Sequence, residues 1–507
     1  MSVEVTLSQL LANGADDAPA ILAPSAKAMT FARLREQVKE TITSLNGLGI
    51  GRNDRVAIVL HNSPELAVAF MAIAAGTTSA PLNPAYCLEE FEFYLSDLSA
   101  KALVVEEGST SPAIAAAEKL GVQLITLHKT PDLGVGSFEL HGTGLKSAPT
   151  LPGPAEPDDV ALVLHTSGTT SRPKIVPLSQ RNVSASARNI LTSLALTSKD
   201  RNITIMPLFH IHGLLASVLA PLTAGGSVFC TSGFNALRFF SWLAEAKPTW
   251  YTAVPTMHQA ILTRAGHNAA IIKANPLRFI RSSSSSLPPQ VLAELEEAFG
   301  VPVVEAYGMT EASHQMACNP LPPLIHKPGT VGLAAGPEIA IMNEAGDLLP
   351  IGDIGEVVIR GDNVTLGYEN NPKANEDGFT KGWFRTGDQG KMDTDGYLTI
   401  TGRLKEIINR GGEKISPREV DEILLDHPAV EQVVTFAFPH DKLGEDVGAV
   451  VVLREGQNLD EKGLREFASL HLAEFKVPRK IWFMDEIPKG ATGKTQRIGM
   501  AQKLGIA

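Results

Sequence analysis

The sequence predicts a mixed α/β and α+β protein. A large N-terminal domain of parallel α/β subdomains carries a small antiparallel β subdomain, and a smaller α+β domain closes the chain. Three observations carry this prediction. The 507 residues exceed one ordinary domain. Short β-branched runs alternate with capped helical patterns over most of the chain, which implies parallel strands joined by crossover helices. The texture then changes near residue 330 and again near 403.

The elements follow in order. "RVAIVL" (55–60) reads as a strand, and "SPELAVAFMAIAAG" (63–76) as a helix with a serine cap, proline in the first turn and a terminal glycine. "ALVVEE" (102–107) and "SPAIAAAEKLG" (111–121) repeat the pattern, as do "RNITIMPLF" before "GLLASVLAPLTAGG" (213–226) and "LRFIRS" before "PPQVLAELEEAFG" (288–300). Residues 144–158 form a Pro/Gly-rich connector. From about 330, "PEIAIMNEAGDLLPIGDIGEVVIRG" shows short alternating strands with Gly-Asp turns, the mark of a small antiparallel sheet. The charged joint Gly402-Arg403-Leu404-Lys405 places the domain boundary, giving domains 1–402 and 403–507. Beyond it, helices are predicted at 417–426 and 460–472 and strands within 431–438 and 447–453.

Composition excludes several classes. A net charge of −11 without a basic run argues against nucleic-acid binding. Cys87, Cys230 and Cys318, three widely spaced cysteines, suit buried thiols better than disulfides or a zinc site. No apolar stretch is long enough to span a bilayer. The first residues lack a secretory pattern, and the last, "LGIA", are not a Ser-Lys-Leu peroxisomal address, so cytosol is expected.

Chemistry first shows at "LHTSGTTSRPKIV" (164–176), which follows the apolar "VALVL". A strand running into small and hydroxyl residues closed by a lysine suits phosphate binding, because backbone N–H groups can approach closely and hydroxyls add donors. "GATGKT" (490–495) only imitates a Walker A loop, since Pro488 stands where that motif needs glycine. The remaining notable segments are "MPLFHIHG" (206–213), "EAYGMTEASH" (305–314), "WFRTGDQG" (383–390), "GRLKEIINRGGEKISP" (402–417) and "PKGATGKTQR" (488–497).

In this order the segments resemble the adenylate-forming superfamily of acyl-CoA synthetases, 4-coumarate–CoA ligases, luciferases and adenylation domains, from about residue 20 to 505. The resemblance implies an acid–thiol ligase using ATP, Mg²⁺ and coenzyme A. The acid attacks the α-phosphate of ATP, and a thiol then displaces AMP from the acyl-adenylate. It also implies residue roles. Thr166, Ser167, Gly168, Thr169, Thr170 and Lys174 match the loop on the β- and γ-phosphates. Tyr307 is expected along the adenine, walled by Glu305, Ala306 and Gly308. Thr310 should reach the α-phosphate and Glu311 should hold Mg²⁺. Asp388 matches the ribose acceptor, supported by Arg403. Lys494 matches the lysine bridging carboxylate and α-phosphate, and His210 the histidine that gates the pocket. The C-terminal domain is expected to be mobile, swinging about Lys405 to bring Gly411 and Gly412 to the thiol arm. Ser171, Ile175 and Asn409 depart from the commonest pattern, which often has Gly, Gly and Lys at those places. None of the three removes a charged catalytic group, although Asn409 disfavours a luciferase.

The acid is read from the segments expected to line its pocket: "HIHG" (His210, His212), "RSSSSSL" (281–287) and "EASH" with His314. Histidines and hydroxyls make a poor wall for an alkyl chain and a fitting one for a second carboxylate, whose burial requires donors. Ser284, His212 and His314 can supply them, a protonated histidine adding charge. The plainer alternative makes His314 a helix cap. "TSGTTSRPK", "EASHQM", "NVTLGY", "FRTGDQG" and "IINRGGEKISP" are similar to the oxalate–CoA ligases of plants and fungi, so the expected acid is oxalate. A 4-coumarate-like or short- or medium-chain acid ligase is the same-fold alternative. A catalytically silent nucleotide-binding homologue would be expected to lose Lys494 or Glu311, and both are present.

Overall fold

Strands and helices alternate where the hydrophobic pattern placed them. The computed structural model describes residues 5–143, 148–166, 173–411, 413–488 and 497–506. The strand Arg55–Val59 leads into the helix Pro64–Ala74, whose Ser63 hydroxyl accepts from the Leu66 amide. Ala102–Glu106 leads into Pro112–Leu120, which Gly121 ends in the left-handed conformation at φ +69°. Helix Pro64–Ala74 is buried on every side from Glu65 to Ala74, as its almost entirely apolar sequence requires.

The described chain divides into two compact units. The first takes the residues up to Thr166 with Pro173–Ile339 and Ile359–Phe379, and the second takes Ala340–Val358 and Thr380 onward. The expected boundary at 402/403 lies in the strand Leu398–Arg403, within the second unit.

The first unit contains two largely parallel sheets. In one of seven strands, Arg55–Val59 lies between Ala102–Glu106 and Thr78–Pro81, and antiparallel strands form both edges. The nine-stranded sheet runs through Arg201–Thr204, Trp250–Ala253, Phe279–Ser282 and Val303–Met309, paired in parallel in that order. Its packing includes Phe239, Trp242, Tyr251, Ile280 and Leu295, all essentially inaccessible.

One helix departs from expectation. His212–Leu219 is a π-helix, followed by an α-helical turn, Ala220–Thr223. Pro221 supplies the reason: it has no amide for the carbonyl of Ser217 four residues earlier, and its ring crowds that oxygen. The carbonyl accepts instead from Asn202 Nδ2 at 2.7 Å and Thr204 Oγ1 at 3.2 Å. Gly213 is needed here, because a Cβ would lie 2.2 Å from the Pro207 carbonyl oxygen.

In the second unit the strand Trp383–Met392 pairs antiparallel with Leu398–Arg403 inside a five-stranded sheet. Farther along, Val430–His440 and Gly444–Leu453 form a long antiparallel pair, to which Lys480–Phe483 adds in parallel. The helices Pro417–Leu425 and Glu461–Ser469 contribute Val420, Leu424 and Leu464 to that core. The sequence pattern had not shown the short hairpin of Ile408–Arg410 and Glu413–Ile415.

Candidate active site

The first unit gathers its polar residues beyond the carboxyl ends of parallel strands, where open α/β sheets place their ligands. His210 and His212 follow Arg201–Thr204. Ser284 follows Phe279–Ser282, and Glu305 to Met309 end the strand Val303–Met309. Thr310–Ala312 then makes a short 3₁₀ turn into the antiparallel strand His314–Cys318. His314 therefore opens a strand and caps no helix. Gly308 is required by this return, since a Cβ there would stand 1.8 Å from the His314 carbonyl oxygen.

Three non-glycine residues in this region have left-handed backbones: Ser284 at φ +73°, Ser313 at +49° and His314 at +96°. Such conformations cost of order 1–3 kcal/mol each and cluster at functional sites. The side chains of Ser284 and His314 belong to one network. His212 Nδ1 lies 2.9 Å from Ser284 Oγ, and its Nε2 lies 2.6 Å from Thr252 Oγ1. The His212 and His314 rings stack at 4.8 Å with 18° between planes. Arg281, cross-strand neighbour of Thr252, reaches both histidines. Sequence reasoning brought His212, Ser284 and His314 together and missed Arg281, Thr252 and Gln315. An arginine inside the apolar strand "LRFIRS" was the available signal.

The expected nucleotide residues lie close by in the chain fold. Glu305 is buried, its Oε1 accepting from the Leu287 amide at 3.4 Å and its Oε2 from the Gly329 amide at 3.3 Å. Ala306 is buried and its carbonyl accepts from Ser283 Oγ, while Tyr307 and Thr310 remain partly exposed. His210 is also partly exposed, its ring tilted against that of Phe209. Glu311 is buried, and its Oε1 accepts from the Tyr368 hydroxyl at 2.8 Å. Burial and the adjacent Glu311 hold the Tyr368 phenol well above its usual range, so it remains the donor. Lys174 Nζ stands 4.2 Å from the centre of the same ring, a cation–π contact. Tyr368 thus joins the two residues expected at phosphate and metal, a link the sequence did not show. A lone buried carboxylate fits Mg²⁺, which takes one or two such ligands and completes its shell with water and phosphate oxygens. Among the described residues no group of three or more metal-binding side chains occurs.

Thr166 and Lys174 are paired across a hairpin, at either end of the segment expected to bind phosphate. Ser167, Gly168, Thr169, Thr170, Gly412 and Lys494 lie outside the described residues. In the second unit Asp388 and Arg403 face each other across two strands, and Arg403 Nε meets Asp388 Oδ1 at 3.0 Å. Lys405 is exposed in the turn that follows, and Gly411 (φ +61°) donates its amide to the Leu443 carbonyl.

Comparison with known proteins identifies the family. The AMP-binding enzyme family matches residues 9–369, and the AMP-binding enzyme C-terminal domain matches 419–494. An oxalate–CoA ligase of Arabidopsis thaliana is 48% identical, covering 98% of each chain. An oxalate–CoA ligase of Saccharomyces cerevisiae is 44% identical over 89% of this chain and 87% of its own. The crystal structure of ATP-bound MatB from Rhodopseudomonas palustris superposes with a TM-score of 0.87 at 29% identity, covering 99% of both chains. The chain belongs to the AMP-binding enzyme family and, within it, to the AMP-forming acid–thiol ligases.

Proposed function

We propose that this ligase activates oxalate, converting oxalate, ATP and CoA to oxalyl-CoA, AMP and diphosphate. The observation that carries the choice of acid is the polar cluster of His212, Ser284, Thr252 and His314 around the buried Arg281. Such a wall suits a second carboxylate and is unfavourable to an alkyl chain. Two relatives named for the same reaction, similar over most of their length, support the reading.

In the first step a carboxylate oxygen forms a bond to the α-phosphorus as the bond to diphosphate breaks. Both reactants are anions, so catalysis is largely neutralisation and positioning. We assign Thr166 to Thr170 and Lys174 to the β- and γ-phosphates, and Thr310 to the α-phosphate. Glu311 would hold Mg²⁺, which when bound neutralises phosphate charge. The Tyr368 hydroxyl donates to that carboxylate and orients it. Tyr307 lies along the adenine beside Glu305, Ala306 and Gly308, and Asp388 takes the ribose hydroxyls with Arg403 in support. Lys494 bridges the attacking carboxylate and the α-phosphate.

In the second step the CoA sulfur, having lost its proton, bonds to the acyl carbon and AMP leaves. Lys494 must then withdraw. We assign this to rotation of residues 403–507 about Lys405, which carries Gly411 and Gly412 to the thiol arm, with His210 gating its approach. The cysteines are free thiols and no helix among the described residues is long and apolar enough to cross a membrane, which supports placing the reaction in the cytosol.

A panel of oxalate, malonate, acetate and 4-coumarate assayed for ATP- and CoA-dependent AMP release tests the reading. Oxalate should give the highest kcat/KM. A tenfold lead for any other acid refutes oxalate as the substrate.

A further inference from the structure

The proposed acid pocket contains a cation with no matching anion among the described residues. Arg281 lies in the strand Phe279–Ser282 and its side chain is wholly buried. Its Nη1 donates to Thr252 Oγ1 at 3.2 Å and His212 Nε2 at 3.4 Å. Its Nη2 donates to His314 Nε2 and to Gln315 Oε1, both at 3.1 Å. The Cys318 thiol is a further neighbour. None of these partners is a carboxylate, and Nε has no hydrogen-bond partner among the described residues. Burial lowers the guanidinium pKa, yet arginine stays charged inside proteins. A buried, uncompensated charge is costly, so the anion that balances it arrives as a ligand.

The same contacts locate protons. A guanidinium only donates, so His314 Nε2 must accept and its ring proton sits on Nδ1. Thr252 Oγ1 accepts from Arg281, which leaves its own proton for His212 Nε2. His212 then carries its proton on Nδ1, facing Ser284 Oγ. Two stacked imidazolium rings beside a guanidinium would repel one another, so the stacking agrees with two neutral rings. The other titratable neighbours add no positive charge. Burial raises the Cys318 thiol, with Arg281 partly offsetting it, and burial pushes His258 down to about 3.

We propose that Arg281 is the positioning residue of the acid pocket: it holds His212 and His314 as neutral Nδ1–H tautomers and itself supplies the positive charge that selects a dianionic acid. This rests on the reading of His212, Ser284 and His314 as the wall of that pocket. The charge that sequence reasoning assigned to a protonated histidine therefore resides on arginine.

The test compares wild type with Arg281→Met and Arg281→Lys, after thermal melting confirms that each is folded. Arg281→Met should lower kcat/KM for oxalate about ten- to a hundredfold, the loss expected for hydrogen bonds to a charged group, while the KM for ATP stays within about twofold. Arg281→Lys should restore about tenfold of that loss. Nitrogen-15 NMR of the imidazoles, assigned with His212→Gln and His314→Gln, should show both wild-type rings as Nδ1–H tautomers. Wild-type oxalate kinetics in Arg281→Met, equal loss in the methionine and lysine variants, or Nε2–H rings would each overturn the proposal. Should wild type ignore oxalate, the functional reading fails separately, and the tautomers still decide the role of Arg281. Should Arg281→Met not fold, Arg281→Lys and the wild-type tautomers decide it.

Discussion

Arg497 in the second unit and Arg281 in the first are held in opposite ways. Arg497 pairs with Asp421 and, at 3.3 Å, with Glu406, and it donates to the Thr435 carbonyl. Asp421 is buried and also accepts from the Thr435 amide at 2.6 Å. Burial alone would lower the Arg497 guanidinium, but the two carboxylates carry it above its ordinary range. Arg281 is more deeply buried, and none of the hydrogen-bond partners given for it among the described residues is a carboxylate. A cation balanced by its own chain ties the fold together. A cation left unbalanced at the end of a sheet is a demand for a ligand. Arg497 stands three residues beyond Lys494 and Glu406 follows Lys405, so this balanced pair links the two segments that the family resemblance makes functional.

The largest effect should come from Lys494, three residues before Arg497 in the sequence. Lys494→Ala is expected to slow acyl-adenylate formation by about 10²–10³-fold or more, as for loss of a positioned transition-state donor. Thioester formation from presynthesised adenylate and CoA should stay near wild type; equal losses in both half-reactions would break the two-step assignment.

Removing the partner of the balanced arginine should act on folding. Asp421→Ala is expected to cost about 3 kcal/mol in urea unfolding, the low end for breaking a buried pair, because the Arg497 side chain keeps 24% exposure. The KM for oxalate of the folded variant should not change. A shift in acid selectivity here would erase the distinction between the two arginines.

His314→Ala sharpens the other side of the comparison. Loss of its hydrogen bond to a charged acid is worth about 1.5–3 kcal/mol, or roughly ten- to a hundredfold in kcat/KM for oxalate. Acetate turnover should not fall, and a uniform loss across acids would make His314 structural.

The smallest effect is expected from Tyr368→Phe. Phenylalanine keeps the ring beneath Lys174 but loses the hydroxyl on Glu311. Half-saturation by Mg²⁺ should rise several-fold, up to about tenfold, with the KM for oxalate unchanged. Titrating Mg²⁺ at saturating ATP measures it, and an unchanged Mg²⁺ requirement would detach Tyr368 from the metal site.

Residues whose environment follows from local pattern were legible in the sequence. Ser63, Pro64 and Gly121 mark helix ends through backbone chemistry that needs no distant partner. Asp388 and Arg403 could be assigned roles from motif context, but their pairing across two strands depends on register. The π-helix at His212–Leu219 was hidden, because it depends on Pro221 releasing a carbonyl to Asn202 and Thr204 on a separate strand.

By itself the sequence determined the alternation of strands and helices and the family, and it singled out the histidines and serine proposed for the acid pocket, because periodicity, caps and motif spacing are local quantities. Tertiary structure decided which charged side chain those groups meet. Arg281 meets Thr252, His212 and His314 only after parallel strands align and the strand after Gly308 turns back. Burial and the absence of a carboxylate among its partners arise from that convergence, and no stretch of sequence around position 281 contains them.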